Sequence, residues 1–354
     1  MSLQQPIQSV EQVEIGELTP AWWQAWDAFV EDCPEATFFH RAGWKTVIEE
    51  SFGHACPFLF AHCDGSILGV LPLVHIDSRL FGKSLVSSAF CVYGGVAATR
   101  PDVRLLLEAE AERRGEAFGV DHVEYRLRNR SDSQRPCKDG LYVTFRQDID
   151  PDLDVNMKRI PRKQRAMVRK GIGNGLTSEV DSSVDRFYAL YSESVRNLGT
   201  PVFSKRYVEM LRETFGPDCE ALVICDEKGQ PVNAVLSFYF RDEVLPYYGG
   251  GGQDARRLAA NDFMYWEVMR RACERGCRLF DFGRSKVGTG AHAFKKNWGF
   301  QPEPLYYEYR LYGDAEIPDV NPLNPKYQRA IKIWQRLPLG IANRVGPFLA
   351  KNLG

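Results

Sequence analysis

The residues that could do chemistry gather in one stretch, LFDFGRSKVGTGAHAFKKNWGF, at positions 279–300. Asp281 and Arg284 end a predicted strand, and Lys295 and Lys296 follow in a predicted loop. Asp281 could accept a proton from an attacking amine or orient Lys295, and Arg284 could bind a carboxylate or phosphate through two parallel hydrogen bonds. The lysines could place positive charge beside a phosphate or a developing oxyanion. The alternatives are a structural ion pair at the strand end and two solvated surface lysines.

A stretch of tyrosines and glycines precedes this segment. Tyr247 and Tyr248 lead into the glycines 249–252, and glycines allow a ligand to approach the backbone closely. A tyrosine such as Tyr248 could serve as a general acid, although aromatic residues in strands are more often part of the core. The stretch therefore predicts either a substrate-binding strand or ordinary core packing.

The elements that must position these residues occur twice. Residues 57–74 and 221–240 each have the pattern of a β-hairpin, and each is followed by a strand ending in aromatic-Gly-Gly, at 91–95 and 246–250. Each half continues with a helix that stops at a glycine and leads into another strand. The order hairpin, strand, helix, strand predicts an α/β (α+β) protein of two similar units, each a mixed sheet flanked by helices.

The domain boundaries follow from this repeat. We predict a first unit over residues 1–150, a second unit over 151–315 that carries the chemical residues, and a linker with a helical tail over 316–354. The tail is rich in apolar residues but is interrupted by Pro338. It could therefore dock on the protein or make peripheral contact with a membrane.

The chemical segment resembles the FemAB-like and BioF2-like acetyltransferases of the GNAT superfamily, through DFG at 281–283, FKK at 294–296 and GF at 299–300. The runs GRSKVGTGAHAFKKNWGF and RNLGTPVFSKRY are similar to FemAB-like proteins associated with PEP-CTERM/exosortase systems. The resemblance implies two tandem GNAT-like (acyl-CoA N-acyltransferase) domains. It also implies an acyl- or aminoacyl-transferase that acts on an amine of an envelope or exopolysaccharide precursor, with Lys295 beside the donor phosphate or the oxyanion. We expect the catalytic residues to be Lys295, Asp281 and Tyr248.

The donor site departs from the usual GNAT pattern. An ordinary GNAT domain holds the CoA pyrophosphate with Arg/Gln-x-x-Gly-x-Gly/Ala at a helix N-terminus. The equivalent here is RLAAND, in which Ala260 and Asp262 stand in place of glycines. A carboxylate at this position repels a pyrophosphate, so the usual CoA-binding mode is in question. Three donors therefore stay open: acyl-CoA, an acyl carrier protein and aminoacyl-tRNA. No cofactor is expected to be tightly bound. We expect five residues to bind the donor: Arg257, Asn261, Arg284, Phe294 and Lys296.

Two further basic regions could bind a substrate. Arg41 and Lys45 open a first-half helix, and the resemblance implies that basic groups of the first half hold the acceptor, a small molecule or a glycan or peptide precursor. The basic run between residues 158 and 170 could hold tRNA or a carrier phosphate, or form a solvated helix face. The formal net charge of −1 gives no reason to expect DNA as a partner.

Composition argues against other classes of protein. Nine cysteines at scattered positions indicate reduced thiols in a cytoplasmic protein, and no metal site is expected because the spacing of metal ligands is missing. The polar N-terminus lacks the pattern of a signal peptide, and no apolar run of about 18 residues could span a membrane. Two alternatives to the Fem-like transferase stay open: an N-acyltransferase that uses acyl-CoA or an acyl carrier on a small amine, and a non-catalytic GNAT-like binding module.

Overall fold

A computed structural model describes residues 13–79, 81–318 and 325–353 of the chain, and only the backbone at 325–327. The first half contains nine strands and three α-helices within these residues. They are β1 (Glu14–Glu17), α1 (Trp23–Asp32), α2 (Gly43–Phe52), β2 (Leu59–Cys63), β3 (Ser66–Leu71), β4 (Leu73–Ser78), β5 (Gly82–Ser87), β6 (Ala97–Ala98), α3 (Pro101–Phe118), β7 (His122–Leu127), β8 (Cys137–Lys138) and β9 (Tyr142–Asp148).

The second half begins with helices and ends with the tail. Its elements are α4 (Leu153–Arg159), α5 (Arg162–Gly173), β10 (Thr177–Val180), α6 (Asp185–Leu198), α7 (Lys205–Phe215), β11 (Cys219–Cys225), β12 (Pro231–Phe240), β13 (Glu243–Gly251), α8 (Ala260–Glu274), β14 (Leu279–Asp281), β15 (Ser285–Lys286), α9 (Gly290–Asn297), β16 (Pro302–Pro304), β17 (Tyr306–Leu311), α10 (Pro325–Gln335) and α11 (Leu339–Ala350). Short 3-10 turns lie at Pro20–Trp22, Phe38–His40 and Gly216–Asp218.

The strands form three sheets within the described residues. The first half has a four-stranded sheet in the order β1-β2-β3-β6 and a five-stranded sheet in the order β4-β5-β7-β17-β8. The second half has an eight-stranded sheet in the order β10-β11-β12-β13-β14-β9-β15, with β16 also paired to β9. Parallel pairing occurs between β5 and β7 and between β13 and β14, so the mixed sheets are those expected from the repeated order of elements.

The two halves exchange a strand. β9, at the end of the first half, pairs antiparallel with β14, β15 and β16, whereas β17, near the end of the second half, pairs with β7 and β8. The exchange sets Arg146 opposite Asp281 in one sheet and Tyr309 opposite Glu124 in the other. Two of the sheets therefore contain strands from both sides of residue 150. The division of the chain into units at that position stays a prediction.

The predicted order of elements is confirmed, with one correction. β2 and β3 form a hairpin, as do β11 and β12, and glycines with positive φ follow α3 and α8, at Gly119 (62°) and Gly276 (81°). The prediction of a strand over 91–95 is wrong, because β5 ends at Ser87. Ser88 and Phe90 have φ values of 48° and 66°, and a chain in this left-handed region cannot continue an extended strand.

The halves share one hydrophobic core. The Phe38 ring of the first half stacks on Phe238 of β12 with centroids 4.4 Å apart, and it lies 4.7 Å from Phe215 at the end of α7. All three rings are buried, and large aromatic side chains dominate the energetics of a core. Packing between these rings therefore holds the two halves together.

Features of other protein classes are absent from the part of the chain that the structure describes. The nine cysteines are free thiols. No group of three or more His, Cys, Asp or Glu side chains in the described ranges could hold a metal ion. None of the described helices is both long enough and apolar enough to cross a membrane.

Candidate active site between the two halves

The strands of the second half separate beside Tyr247. β13 pairs with β14 through its first two residues, Glu243 and Val244, although β13 continues to Gly251. In the same stretch the register between β12 and β13 shifts, which leaves Tyr247 as an extra, bulged residue. Bulges often re-aim side chains next to active sites. The edge of β13 beyond Val244 thus borders an open wedge in which backbone groups can bind a ligand.

The equivalent wedge of the first half is closed. The N–H of Gly94 donates to the carbonyl of Arg126 at 2.8 Å, and the Arg126 guanidinium donates to the carbonyl of Cys91 at 3.0 Å. Arg126 is itself held by Glu124, whose carboxylate lies 2.6 Å from Nε. Backbone and side-chain bonds therefore occupy, in the first half, the position that stays open in the second.

Asp281 is fully buried, and its carboxylate accepts four hydrogen bonds. The donors are the Tyr93 hydroxyl at 2.7 Å, the Thr144 hydroxyl at 3.1 Å, Nε of Arg146 at 3.1 Å and the N–H of Gly283 at 2.7 Å. Burial, with the charge of Asp281 next, raises the pKa of Tyr93 well above its usual value, so its hydroxyl stays protonated and donates. Because a carboxylate offers about four lone-pair sites, a substrate proton can reach Asp281 only if one of these donors leaves.

Lys295 holds the loop that follows Asp281. Its Nζ donates to the carbonyls of Phe282 at 2.6 Å, Gly283 at 2.9 Å and Arg284 at 3.1 Å, which uses all three hydrogens of an ammonium. Burial lowers the pKa of Lys295 to about 7, while the Asp281 charge opposes this shift. The catalytic role predicted for Lys295 stays a prediction, and the observed contacts make it a clamp on the loop.

The FKK segment lies in a helix, so the prediction of a loop over residues 294–296 is wrong. α9 begins after Thr289, whose Oγ1 accepts a hydrogen bond from the N–H of His292 at 3.3 Å. A threonine in this position satisfies an N–H that the first turn of a helix leaves unpaired. The helix directs Lys295 into the protein and leaves Lys296 exposed.

Arg284 lies between the halves, among aromatic side chains that together we call the central recess. Its guanidinium lies 4.7 Å from the ring centroid of Tyr142 and donates to the hydroxyl of Tyr307, yet the residue is exposed to solvent. Its charge also opposes the burial effect that raises the pKa of Tyr247. We define the recess by Arg284, Tyr142, Tyr247, Tyr248 and Tyr307. Arg284 makes no ion pair with any residue in the described ranges, so the guanidinium is available to an anionic group.

Tyr248 lies in the wall of the recess. Its hydroxyl is 3.0 Å from the hydroxyl of Tyr207, and its ring centroid lies 6.0 Å from that of Phe203. Burial raises the pKa of Tyr248 well above its usual value. Its hydroxyl therefore stays protonated near neutral pH and cannot serve as a base there, and the general-acid role of Tyr248 stays a prediction.

The five predicted donor-binding residues fall in three places. Arg257 precedes α8, pairs with Asp254 at 2.9 Å and has 70% of its side chain exposed. Asn261 lies in the first turn of α8, where its Oδ1 accepts from Nδ2 of Asn233 at 2.7 Å. Phe294 and Lys296 lie in α9, and Arg284 lies in the recess. The half-buried Phe294 ring packs 5.5 Å from Tyr265, as a core residue would.

The acidic residue of the RLAAND segment is buried at the start of α8. Asp262 accepts hydrogen bonds from Nε1 of Trp298 at 2.9 Å and from Nε2 of Gln164 at 3.1 Å. Burial raises its pKa, and the two N–H donors oppose that shift. The carboxylate is thus held in place at the start of α8, and it would repel a phosphate bound at the same position.

The two basic residues predicted to hold the acceptor have partners of their own. Nη1 of Arg41 lies 2.8 Å from Asp218, which joins the first half to the turn after α7. Nζ of Lys45 donates to Glu49 at 2.7 Å and to the carbonyl of Cys56 at 2.6 Å. These contacts are structural, and acceptor binding by either residue stays a prediction.

The basic run lies on α4 and α5. Arg159 pairs with Asp150 at 3.7 Å, and the other six basic residues make no ion pair within the described part of the chain. α5 packs closely on α8, since a Cβ placed on Gly171 would lie 2.7 Å from Cβ of Phe263. This positive face therefore borders α8, the helix that carries Asn261 and that Arg257 precedes. Its members are Lys158, Arg159, Arg162, Lys163, Arg165, Arg169 and Lys170.

Sequence reasoning missed the site residues that the exchanged strands supply. β9 brings Tyr142, Thr144 and Arg146 to the second half, and β17 brings Tyr307 to the recess. No local pattern marks these positions. Tyr93 did carry a signal, because the repeat aligns its Tyr-Gly-Gly with the Tyr-Gly-Gly that begins at residue 248.

A family model identifies the second half. Residues 156–296 match the model described as "Acetyltransferase (GNAT) domain". This stretch is similar to GNAT acetyltransferase domains. The match confirms the prediction of a transferase, and the matched stretch contains the wedge, Asp281, Arg284 and Lys295. No curated protein matches the chain significantly.

Solved structures extend the likeness to the whole chain. "Crystal structure of FemX" is similar with a TM-score of 0.67 at 16% identity, over 90% of this chain and 100% of that one. L-PGS from Bacillus licheniformis is similar with a TM-score of 0.56 at 15% identity, over 91% and 98%. A tandem GNAT protein from the clavulanic acid biosynthesis pathway is similar with a TM-score of 0.52 at 13% identity, over 86% and 100%. The predicted fold of tandem GNAT-like domains is confirmed, whereas the link to PEP-CTERM systems stays a prediction.

Proposed function

We propose that the protein transfers an acyl or aminoacyl group to an amine on an envelope or exopolysaccharide precursor, with the acceptor bound in the central recess. The observation that carries the proposal is Arg284, a solvent-exposed residue whose guanidinium makes no ion pair in the described ranges. It lies among aromatic rings of both halves, beside the open wedge of the GNAT domain. An arginine in such a place suits a carboxylate or phosphate, which precursors of this kind carry.

In the proposed reaction, the acceptor nitrogen attacks the donor carbonyl and forms a C–N bond. The tetrahedral oxyanion then collapses, the ester or thioester bond to the donor breaks, and the proton from nitrogen passes to the departing oxygen or sulfur. Backbone N–H groups at the edge of β13 are suited to stabilise the oxyanion. The hydroxyl of Tyr248 is suited to relay the proton, because it can give its own proton to the leaving group as it takes one from the nitrogen. In this scheme Asp281 and Lys295 position the loop that bears Arg284.

We propose aminoacyl-tRNA as the donor ahead of acyl-CoA. Asp262 stands at the helix start where a GNAT domain binds a pyrophosphate, and a buried carboxylate there disfavours it. The basic face of α4 and α5, in which six of seven residues make no ion pair within the described ranges, offers contacts to the phosphates of a nucleic acid. An acyl carrier protein would use the same face through its phosphate and acidic surface, so the donor experiment must separate them.

The test of the transferase proposal begins with mass spectrometry of ligands that co-purify with the native protein. We expect an anionic, amine-bearing compound with the wild type and its loss from Arg284→Gln, while Lys228→Gln, at an exposed hairpin turn, retains it. Supplied with this acceptor and a donor, the wild type should form the N-acyl product. Retention of the ligand and of full turnover in Arg284→Gln would refute the assignment of the recess.

The donor is tested by calorimetry with CoA and by transfer assays with aminoacyl-tRNA and acylated carrier protein. Transfer from aminoacyl-tRNA without measurable CoA binding is the expected result. Tight CoA binding would overturn the donor assignment and favour an acyl-CoA-dependent N-acyltransferase. Ligand binding without transfer from any donor would instead leave a non-catalytic binding module.

A further inference from the structure

The tail helices α10 and α11 are fixed on α6 by close packing. A Cβ placed on Gly199 would lie 2.4 Å from Ile331, and one placed on Gly346 would lie 3.0 Å from the backbone of Val202. Nδ2 of Asn343 donates to the hydroxyl of Ser192 at 3.2 Å. The inner face of the tail therefore packs against α6 and the segment that follows it, and its outer face is available to a partner.

The outer face of the tail combines exposed apolar and basic residues. On α11, Ile341, Val345 and Phe348 follow one another at spacings of four and three residues, so they form one stripe along the helix. Their exposed fractions are 49%, 41% and 67%, and Ile333 on α10 is 66% exposed. Apolar side chains of this size, exposed in a row, commonly mark a contact surface.

Positive charge lies beside the exposed apolar residues of both helices. Arg344 lies one turn from both Ile341 and Phe348, and Arg329 and Arg336 stand one turn on either side of Ile333. The sequence from 325 to 353 contains no Asp or Glu, although the whole chain has a net charge of −1. None of the basic side chains that the structure describes between residues 328 and 353 pairs with an acid in the described ranges. They are Arg329, Lys332, Arg336, Arg344 and Lys351.

We propose that the outer face of α10 and α11 is a docking surface for the anionic headgroup layer of a lipid bilayer. Amphipathic helices with apolar and basic residues bind at such interfaces by burying the apolar row and pairing the basic residues with anionic lipids. A second copy of the chain fits less well, because it would bring two like-charged faces together. The proposal does not depend on the transferase reaction.

The position of the tail also relates the bilayer to the recess. α11 packs on Val202, and the next residue, Phe203, places its ring 6.0 Å from that of Tyr248. Docking would therefore bring the wall of the recess close to the lipid surface. If the transferase proposal holds, an acceptor carried by a lipid could be presented without leaving the membrane.

The experiment is co-sedimentation of the full chain with vesicles of phosphatidylcholine alone and of phosphatidylcholine mixed with phosphatidylglycerol. We expect binding to the mixed vesicles at low salt and little binding to phosphatidylcholine alone or at high salt. Phe348→Glu should abolish most of the binding. Lys332→Gln should weaken it by about fivefold, the effect of about one charge at an anionic surface.

Matched controls lie elsewhere on the surface. Leu105→Glu on α3 replaces a side chain that is 65% exposed, and Lys228→Gln removes an exposed charge from a hairpin turn. Both should bind vesicles as the wild type does, and circular dichroism should show that all variants are folded. Failure of the wild type to sediment with mixed vesicles would overturn the proposal. So would equal losses in Phe348→Glu and Leu105→Glu, or a wild-type dimer that Phe348→Glu converts to monomer without any vesicle binding.

Discussion

Replacing Lys295 by methionine is expected to destabilise the GNAT domain and to loosen the loop that carries Arg284. Methionine has a similar length but cannot donate to the carbonyls of Phe282, Gly283 and Arg284, which lie 2.6 to 3.1 Å from Nζ. Each carbonyl left unpaired in a buried place costs about 1–3 kcal/mol. Relief from burying an ammonium offsets part of this loss, so we expect the free energy of unfolding to fall by about 3 kcal/mol.

This loss can be measured by urea or thermal denaturation. For a chain of 354 residues, an unfolding entropy of about 2.1 cal/mol/K per residue converts about 3 kcal/mol into a melting temperature lower by about 4 °C. Lys296→Met is the matched control, because Lys296 is the next residue of α9 and is exposed. Equal melting temperatures for the two variants would refute the view that Lys295 clamps the loop.

Three further predictions follow from the same contacts. Because the pKa of Lys295 is about 7 when folded and 10.5 for the ordinary group, the unfolded state binds more protons between these values. The free energy of unfolding of the wild type should therefore rise relative to that of Lys295→Met as the pH rises above 7, by up to about 1.4 kcal/mol per pH unit. If urea denaturation gave the same difference in unfolding free energy between the two proteins at pH 7 and at pH 9, this prediction would be contradicted. Gly250→Ala should lower the free energy of unfolding by about 1–3 kcal/mol, because a Cβ there would lie 2.9 Å from Cα of Tyr191. Gly249→Ala should leave it nearly unchanged, because the atom nearest to a Cβ there is 3.5 Å away. Comparable melting temperatures for the two variants would count against the packing described for β13. Arg41→Gln and Asp218→Asn should each lower the free energy of unfolding by at most about 1 kcal/mol, and their effects should not add in a double-mutant cycle. A raised KM for the acceptor in Arg41→Gln, but not in Asp218→Asn, would show that Arg41 binds substrate.

Much of the architecture could be predicted because it depends on signals in short stretches of the sequence. The two hairpins, the two helices that end near Gly119 and Gly276, and the placement of the chemical residues in the second half all depend on periodicity and on glycines with positive φ. The errors were local as well. Residues 91–95 turn where a strand was expected, and the segment 294–296 is helical because Thr289 caps it.

The sequence by itself determined a tandem α/β chain with its chemistry in the second half, since each element carries its own pattern of apolar residues and glycines. Tertiary structure alone decided which groups meet. The bond from Tyr93 to Asp281 spans 188 residues, and it forms because packing and the exchange of β9 and β17 join the halves. Those contacts turn Asp281 and Lys295 into supports for the loop and leave Arg284 open to the recess, because a side chain's role depends on which neighbours already occupy its hydrogen-bonding groups.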